Sequence, residues 1–328
     1  MPHPFKPPAH EAQTAWRMPE VMGEPSCVWD ACARLGEGAH WSVREQALYW
    51  VDILGWRLHR WTPARGSQDS WCFDEEISAV TERQAAAGLL MSMRHGLALW
   101  HPQEPGLEPA PPPQSRCVLE HDQPLNRCND GRCDARGRFW VGTIDAACTE
   151  TTGALYCVSA QRQHHMLDVV MHVRSHQPQM TVINGPTWTQ DQRTMLLNDT
   201  TEGLIWAYDF DVDTGALSHR RVWLQFSPDD GLPDGMCTDA AGRIWIAHWG
   251  GGCVSCHAPH TGSELGRITL PVQRVTSCAF GGADLRTLFI TTAREGLTPE
   301  AVAAQPQAGG LFAVRLSEPG CAPHLFAG

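Results

Sequence analysis

One short pattern recurs six times along the chain, and it limits the possible folds more than any other feature. A polar turn leads into two or three apolar residues, and a polar residue closes the run. The copies are LYWVD (Leu48 to Asp52), GLLMS (Gly88 to Ser92), FWVGT (Phe139 to Thr143), MLLND (Met195 to Asp199), IWIAH (Ile244 to His248) and LFITT (Leu288 to Thr292). Their closing residues are 40, 51, 56, 49 and 44 residues apart. The runs are rich in aromatic and β-branched residues and bounded by Gly, Asp and Pro. That describes strands buried on both faces, because helices need longer runs of 3.6-residue period. Units at this spacing, each with room for about four strands, predict an all-β chain folded as a six-bladed β-propeller. A β-sandwich, or two small β domains, is the competing arrangement.

Composition agrees with many short strands. Gly 30 and Pro 24 are turn-forming amounts. Lys+Arg 25 against Asp+Glu 36 gives a net charge of -11, and no basic run offers a footprint for nucleic acid. No apolar run is long enough to span a membrane. The N-terminus, MPHPFKPPAHEAQTAWRMPE, lacks the apolar segment of a signal peptide. The chain therefore reads as soluble and cytoplasmic, with residues 1–20 a flexible Pro-rich tail and residues 21–328 a single propeller domain. The 13 cysteines are scattered and odd in number, and are expected to be reduced thiols. Cys253 and Cys256 form a C-x-x-C with no second pair to complete a zinc site. The Pro-rich segment 101–116 reads as a long connection within the second unit.

Ten or eleven residues upstream of each run stands a residue of one innermost strand. These residues are Glu37, Ser78 or Ile77, Asn129, Asn184, Asp234 and Ser277. In a propeller such positions ring the central channel at one height. Two carboxylates and two amides gathered in a low-dielectric funnel would repel each other or go unsatisfied. A divalent cation removes both problems, and oxygen donors suit a hard ion such as Ca²⁺, Mg²⁺ or Mn²⁺. Each residue taken alone could be no more than a turn former beside Gly. Four in phase argue for a site.

At these residues the chain resembles the SMP-30/gluconolactonase/regucalcin family of sugar lactonases. The similar stretches are LGEGAHWSVREQALYWVDI, NRCNDGRCDARGRFWVGTID, NGPTWTQDQRTMLLNDT, LPDGMCTDAAGRIWIAHWGGGCV and RVTSCAFGGADLRTLFITTA, running from Leu35 to Ala293. The resemblance implies a six-bladed propeller and one divalent cation held by Glu37, Asn184 and Asp234. Calcium is the first expectation, with Zn²⁺, Mg²⁺, Mn²⁺ and Fe²⁺ as alternatives. It implies substrate contacts from Arg127 and Asn129, and a matching family position at Asp199. It also implies a small sugar lactone as the binding partner. One departure stands out. Animal members carry a Glu four residues after the Thr of a G-T motif, but here Gly142-Thr143-Ile144-Asp145 runs on into Ala146-Ala147.

Lactone hydrolysis needs a polarised carbonyl and an activated water, and a divalent cation supplies both. Asp234 is the expected general base, and Arg127 and Asn129 would hold substrate oxygens. The absence of G-x-S-x-G argues against a serine hydrolase. The alternatives are a related propeller hydrolase of another ester or phosphoester, and a non-catalytic calcium-binding propeller. The run from Asp209 to Gly215 resembles the start of an EF-hand, but its Gly is one position late and Arg220 stands where Glu is needed. A hairpin turn is expected there. His248 ends a strand toward the channel and is expected to pack or hydrogen-bond.

Overall fold

Each recurring apolar run forms the second strand of a four-stranded antiparallel sheet: Ala47–Asp52, Leu89–Met93, Phe139–Asp145, Thr194–Asp199, Ile244–Trp249 and Thr287–Thr292. The computed structural model describes residues 16–105, 109–162 and 169–328. Within them the six sheets are the blades of a β-propeller, spanning 36–72, 77–118, 126–180, 183–225, 232–269 and 275–315. Blade 6 takes its outermost strand, Ser26–Trp29, from near the N-terminus, and that strand pairs with Leu311–Arg315. This pairing closes the ring, and the inner strand of blade 6 packs against that of blade 1.

The apolar runs are buried on both faces because each blade stacks on two neighbours. Trp140 and Leu155 of blade 3 meet Met195, Leu197 and Tyr208 of blade 4. Trp245 and Val254 of blade 5 meet Cys278, Phe280 and Leu288 of blade 6. A large aromatic buried over ~150–250 Å² contributes roughly 4–6 kcal/mol as an upper bound.

The polar turns before the runs have a structural purpose. In blade 5, Asp239 Oδ1 accepts the backbone N–H groups of Ala241 and Arg243 at 3.0 and 2.9 Å. Its Oδ2 accepts Arg243 Nε at 2.6 Å and the indole N–H of Trp245 at 2.9 Å. Asp134, Arg138 and Trp140 repeat the arrangement in blade 3. One buried carboxylate thus shapes the turn, neutralises an arginine and orients the core tryptophan.

The C-terminal segment crosses the face where the inner strands end. Gly320 donates to Leu285 O, Phe326 is fully buried, and Phe326 exchanges backbone bonds with Glu82 and Gln84. Between them Cys321 to His324 border an axial cavity of about 320 Å³. Of the N-terminal tail, residues 1–15 lie outside the described residues. Met18 packs on the core between blades 5 and 6, and Glu20 exchanges two hydrogen bonds with Ser317. The Asp209 to Gly215 run is the turn between Leu204–Phe210 and Leu217–Gln225. There Asp211 accepts from Asp213 N and Thr214 N. Among the described residues no helix is long and apolar enough to cross a membrane.

Candidate functional site

The six inner strands share an irregularity. Their register with the second strand shifts at Glu37/His40, Ile77/Ala79, Cys128/Gly131, Asn184/Thr187, Pro233/Met236 and Val275/Ser277. A bulge bends its strand and re-aims a side chain that the regular pleat would direct between blades. Glu37, Asn129, Asn184 and Asp234 all lie at these breaks and are all buried. The local sequence permits the bends. Gly185 follows Asn184 with a φ of 82°, where a side chain would be strained. Gly235 follows Asp234, and a Cβ there would come within 2.5 Å of Ser277 Oγ.

A one-way hydrogen-bond chain joins three blades around this level. Arg127 Nη1 donates to Asn129 Oδ1 at 2.8 Å. Asn129 Nδ2 donates to Asn184 Oδ1 at 2.6 Å. Asn184 Nδ2 donates to Thr200 Oγ1 at 3.0 Å, and Thr200 Oγ1 donates to Pro233 O at 2.8 Å. A guanidinium can only donate and a carbonyl can only accept, so the two ends fix which way each amide faces. Asn198 Nδ2 also donates to the carbonyl of Asp234. Asp130 ties blade 3 to blade 4, accepting Gly131 N at 2.8 Å and Gly185 N at 3.0 Å.

The charges at this level are poorly solvated. Burial raises the Glu37 carboxyl, and the charge of Asp130 raises it further. Burial raises Asp234 well above the usual carboxylate range, with Glu37 and then Asp130 adding to it. Glu37 and Asp234 lie within electrostatic range, so the charge of one disfavours ionisation of the other. Asp234 Oδ1 is buried with no hydrogen-bond partner. Burial also lowers the pKa of Arg127. Among the described residues no three His, Cys, Asp or Glu side chains cluster as metal ligands. A cation here would therefore rest on two carboxylates and an amide oxygen. The donor set fits a hard divalent ion, because it would neutralise the two buried carboxyls and engage the unpartnered oxygen.

The structure thus joins Arg127, Asn129 and Asn184 in one hydrogen-bond chain, with Glu37 and Asp234 buried at the same level and within electrostatic range of each other. Asp199 has no hydrogen bond to that hydrogen-bond chain among the described residues, and its Oδ1, like that of Asp234, is buried without a partner. Its carboxyl is raised to about 6, first by burial and then by the charge of Glu202, with Arg220 opposing. The residues on either side of it, Asn198 and Thr200, are the ones that reach blade 5. Their signal in the sequence was position, next to the polar residue that closes the fourth run. Asp130 had the same kind of signal, immediately after Asn129. His248 Nε2 lies 2.7 Å from Ser255 Oγ, which lies 2.7 Å from His257 Nε2. All three are buried inside blade 5, so this serine has no approach for a substrate. The axial cavity lies at the other ends of the inner strands, where Asp130 forms part of its wall.

Residues 35–294 match the family described as SMP-30/Gluconolactonase/LRE-like region. YvrE of Bacillus subtilis (strain 168), named as a candidate sugar lactone lactonase, is 35% identical over 91% of this chain and 97% of its own length. Human regucalcin is 31% identical over 92% of this chain and 98% of its own. The crystal structure of a regucalcin from Agrobacterium tumefaciens, described as a calcium-binding protein, superposes with a TM-score of 0.83 at 26% identity. It covers 93% of this chain and 97% of its own. Matching in sequence over nearly its whole propeller and in fold over nearly its whole length, this chain belongs to the SMP-30/gluconolactonase/LRE-like family.

Proposed function

We propose that the protein hydrolyses sugar lactones to the corresponding sugar acids, using one divalent cation held by Glu37, Asn184 and Asp234. The observation that carries this reading is the buried Glu37–Asp234 carboxyl pair, with Asp234 Oδ1 left unpartnered. Two carboxyls at such a place destabilise the fold unless a positive charge joins them. The lactonase name of a relative 35% identical to this chain supports the choice of substrate class. Calcium is the first candidate, given the calcium-binding relative of known structure.

The bound cation would polarise the lactone carbonyl and make a nearby water more acidic. The chain's own residues do the rest. The Asp234 carboxylate, through the oxygen not engaged by the cation, accepts a proton as water adds to the carbonyl carbon, and returns it to the ring oxygen as the ester C–O bond breaks. One water is consumed, and a hydroxy acid leaves. Arg127, held by its bond to Asn129, faces the substrate with its remaining donors and supports charge developing on oxygen. Asn129 has its amide oxygen on Arg127 and its amide nitrogen on Asn184 and Ile183 O. It therefore serves more to hold Arg127 against Asn184 than as a free substrate donor.

The test is acid release from a panel of aldonolactones, aryl esters and phosphoesters, with and without added Ca²⁺, Mn²⁺ or Zn²⁺. Cation-dependent turnover confined to lactones is the expected result. Turnover of aryl or phosphate esters alone would favour a related hydrolase, and cation binding without turnover would leave a calcium-binding propeller.

A further inference from the structure

We infer that Thr200 is a positioning residue for the cation site, locking the amide of Asn184 and the peptide before Asp234 into one arrangement. The inference rests on the reading that the site binds a divalent cation through Asn184 and Asp234.

Thr200 lies just beyond the second strand of blade 4 and is buried. Its hydroxyl has one hydrogen to give and gives it to Pro233 O at 2.8 Å. With its lone pair it accepts Asn184 Nδ2 at 3.0 Å. Together with the bond from Asn129 Nδ2 to Oδ1, that second bond fixes which end of the Asn184 amide carries oxygen. A cation can bind the amide oxygen but not the amide nitrogen, so an unfixed amide is a ligand only part of the time. The first bond ties the same hydroxyl to the strand that carries Asp234. Asn198, two residues earlier, donates to Asp234 O itself. One strand end therefore grips two successive carbonyls of the neighbouring blade, and Thr200 alone links that grip to Asn184. Asn129 Nδ2 holds the other end of the Asn184 amide, but that bond cannot fix the position of Asp234.

Thr200→Val keeps the shape and removes the hydroxyl, and Thr200→Ser restores the hydroxyl. Cation affinity is read by calorimetric titration of Ca²⁺ and Mn²⁺ into wild type and both variants, alongside thermal melts. Residues that orient metal ligands typically change affinity about 10- to 100-fold when removed. Thr200→Val should bind about 10- to 100-fold more weakly, and Thr200→Ser within about threefold of wild type. If wild type binds and Thr200→Val binds equally well, the inference fails while the cation site stands. If wild type itself binds neither ion, the functional reading fails and takes the inference with it. A similar loss in Thr200→Ser would show that the fit of the side chain, not its hydroxyl, is what matters, and would also overturn the inference. Should Thr200→Val not fold, Thr200→Ala tests the same two bonds.

Discussion

Arg127 of blade 3 donates from Nη1 to the amide oxygen of Asn129, 2.8 Å away, so the guanidinium is aimed by a neighbour on its own strand. It makes no ion pair with the carboxylates of the site among the described residues, although Glu76 and Glu37 lie within electrostatic range. A buried guanidinium held this way keeps donors for an oxygen-rich ligand. Arg127→Ala should lower kcat/KM for the lactone about 10- to 200-fold, the equivalent of roughly 1.5–3 kcal/mol for a charge-assisted hydrogen bond. Cation affinity should fall far less than in Glu37→Gln, because an arginine cannot ligate a cation. Kinetics at saturating cation, paired with a cation titration for each variant, separate the two roles.

The carboxyls make cation binding depend on pH. In the cation-free protein Glu37 is raised from its ordinary 4.5 to about 8, chiefly by burial and then by the charge of Asp130. A raised value means that folding favours the protonated form. The stability this gives is complete below about pH 4.5 and is lost as pH climbs toward about 8. A cation competes with that proton, so its affinity should rise through the same window and level off above it. Calorimetric titration in two buffers of different ionisation enthalpy should detect proton release near neutral pH. The difference in melting temperature between cation-loaded and cation-free protein should also be larger at pH 8 than at pH 5. Glu37→Gln should flatten both trends.

The turn carboxylates belong to the fold and not to the site. Asp239 is 1% exposed and bonded to Arg243 and Trp245. Asp239→Ala leaves the indole N–H of Trp245 without an acceptor and Arg243 with Glu318 as its remaining carboxylate, which should destabilise by about 1–3 kcal/mol. Urea unfolding should register that loss, while the cation affinity of the folded variant stays within about threefold of wild type.

The thiols give a check that is independent of function. All 13 cysteines are free, and Cys32, Cys148 and Cys321 are the exposed ones. Burial raises the Cys321 thiol to about 11, and partial burial raises Cys32 and Cys148 as well. A thiol reagent should therefore modify these three first, and faster as pH rises. The half-buried Cys27, Cys72 and Cys117 should react more slowly, and the seven buried thiols only on unfolding.

The period of the apolar runs made the blades legible in the sequence, because strands buried on both faces leave continuous apolar runs. The height of the site was legible for the same reason: a constant step back from each run lands on the inner strand. The partners that hold the site were harder to read. Thr200, Asn198 and Asp130 act through bonds between blades, and their partners lie 33, 36 and 55 residues away. Nothing local distinguishes them from ordinary strand-end polar residues. Asp199 shows the converse. Its residue type and position drew attention, and its side chain points to the opposite side of the strand from Asn198 and Thr200, with Oδ1 buried and unpartnered.

Cation-dependent hydrolysis is tested by acid release from glucono-δ-lactone by a single preparation, measured as purified, after stripping with EDTA, and after resupply of Ca²⁺, Mn²⁺ or Zn²⁺. Asp234→Asn is carried through the same series, and a thermal melt at each stage shows that the fold persists. The expected result is hydrolysis above the spontaneous rate that disappears on stripping, returns on resupply, and does not return in Asp234→Asn. Undiminished hydrolysis by folded, cation-free protein, or a fully active Asp234→Asn, would rule out cation-dependent hydrolysis through Asp234.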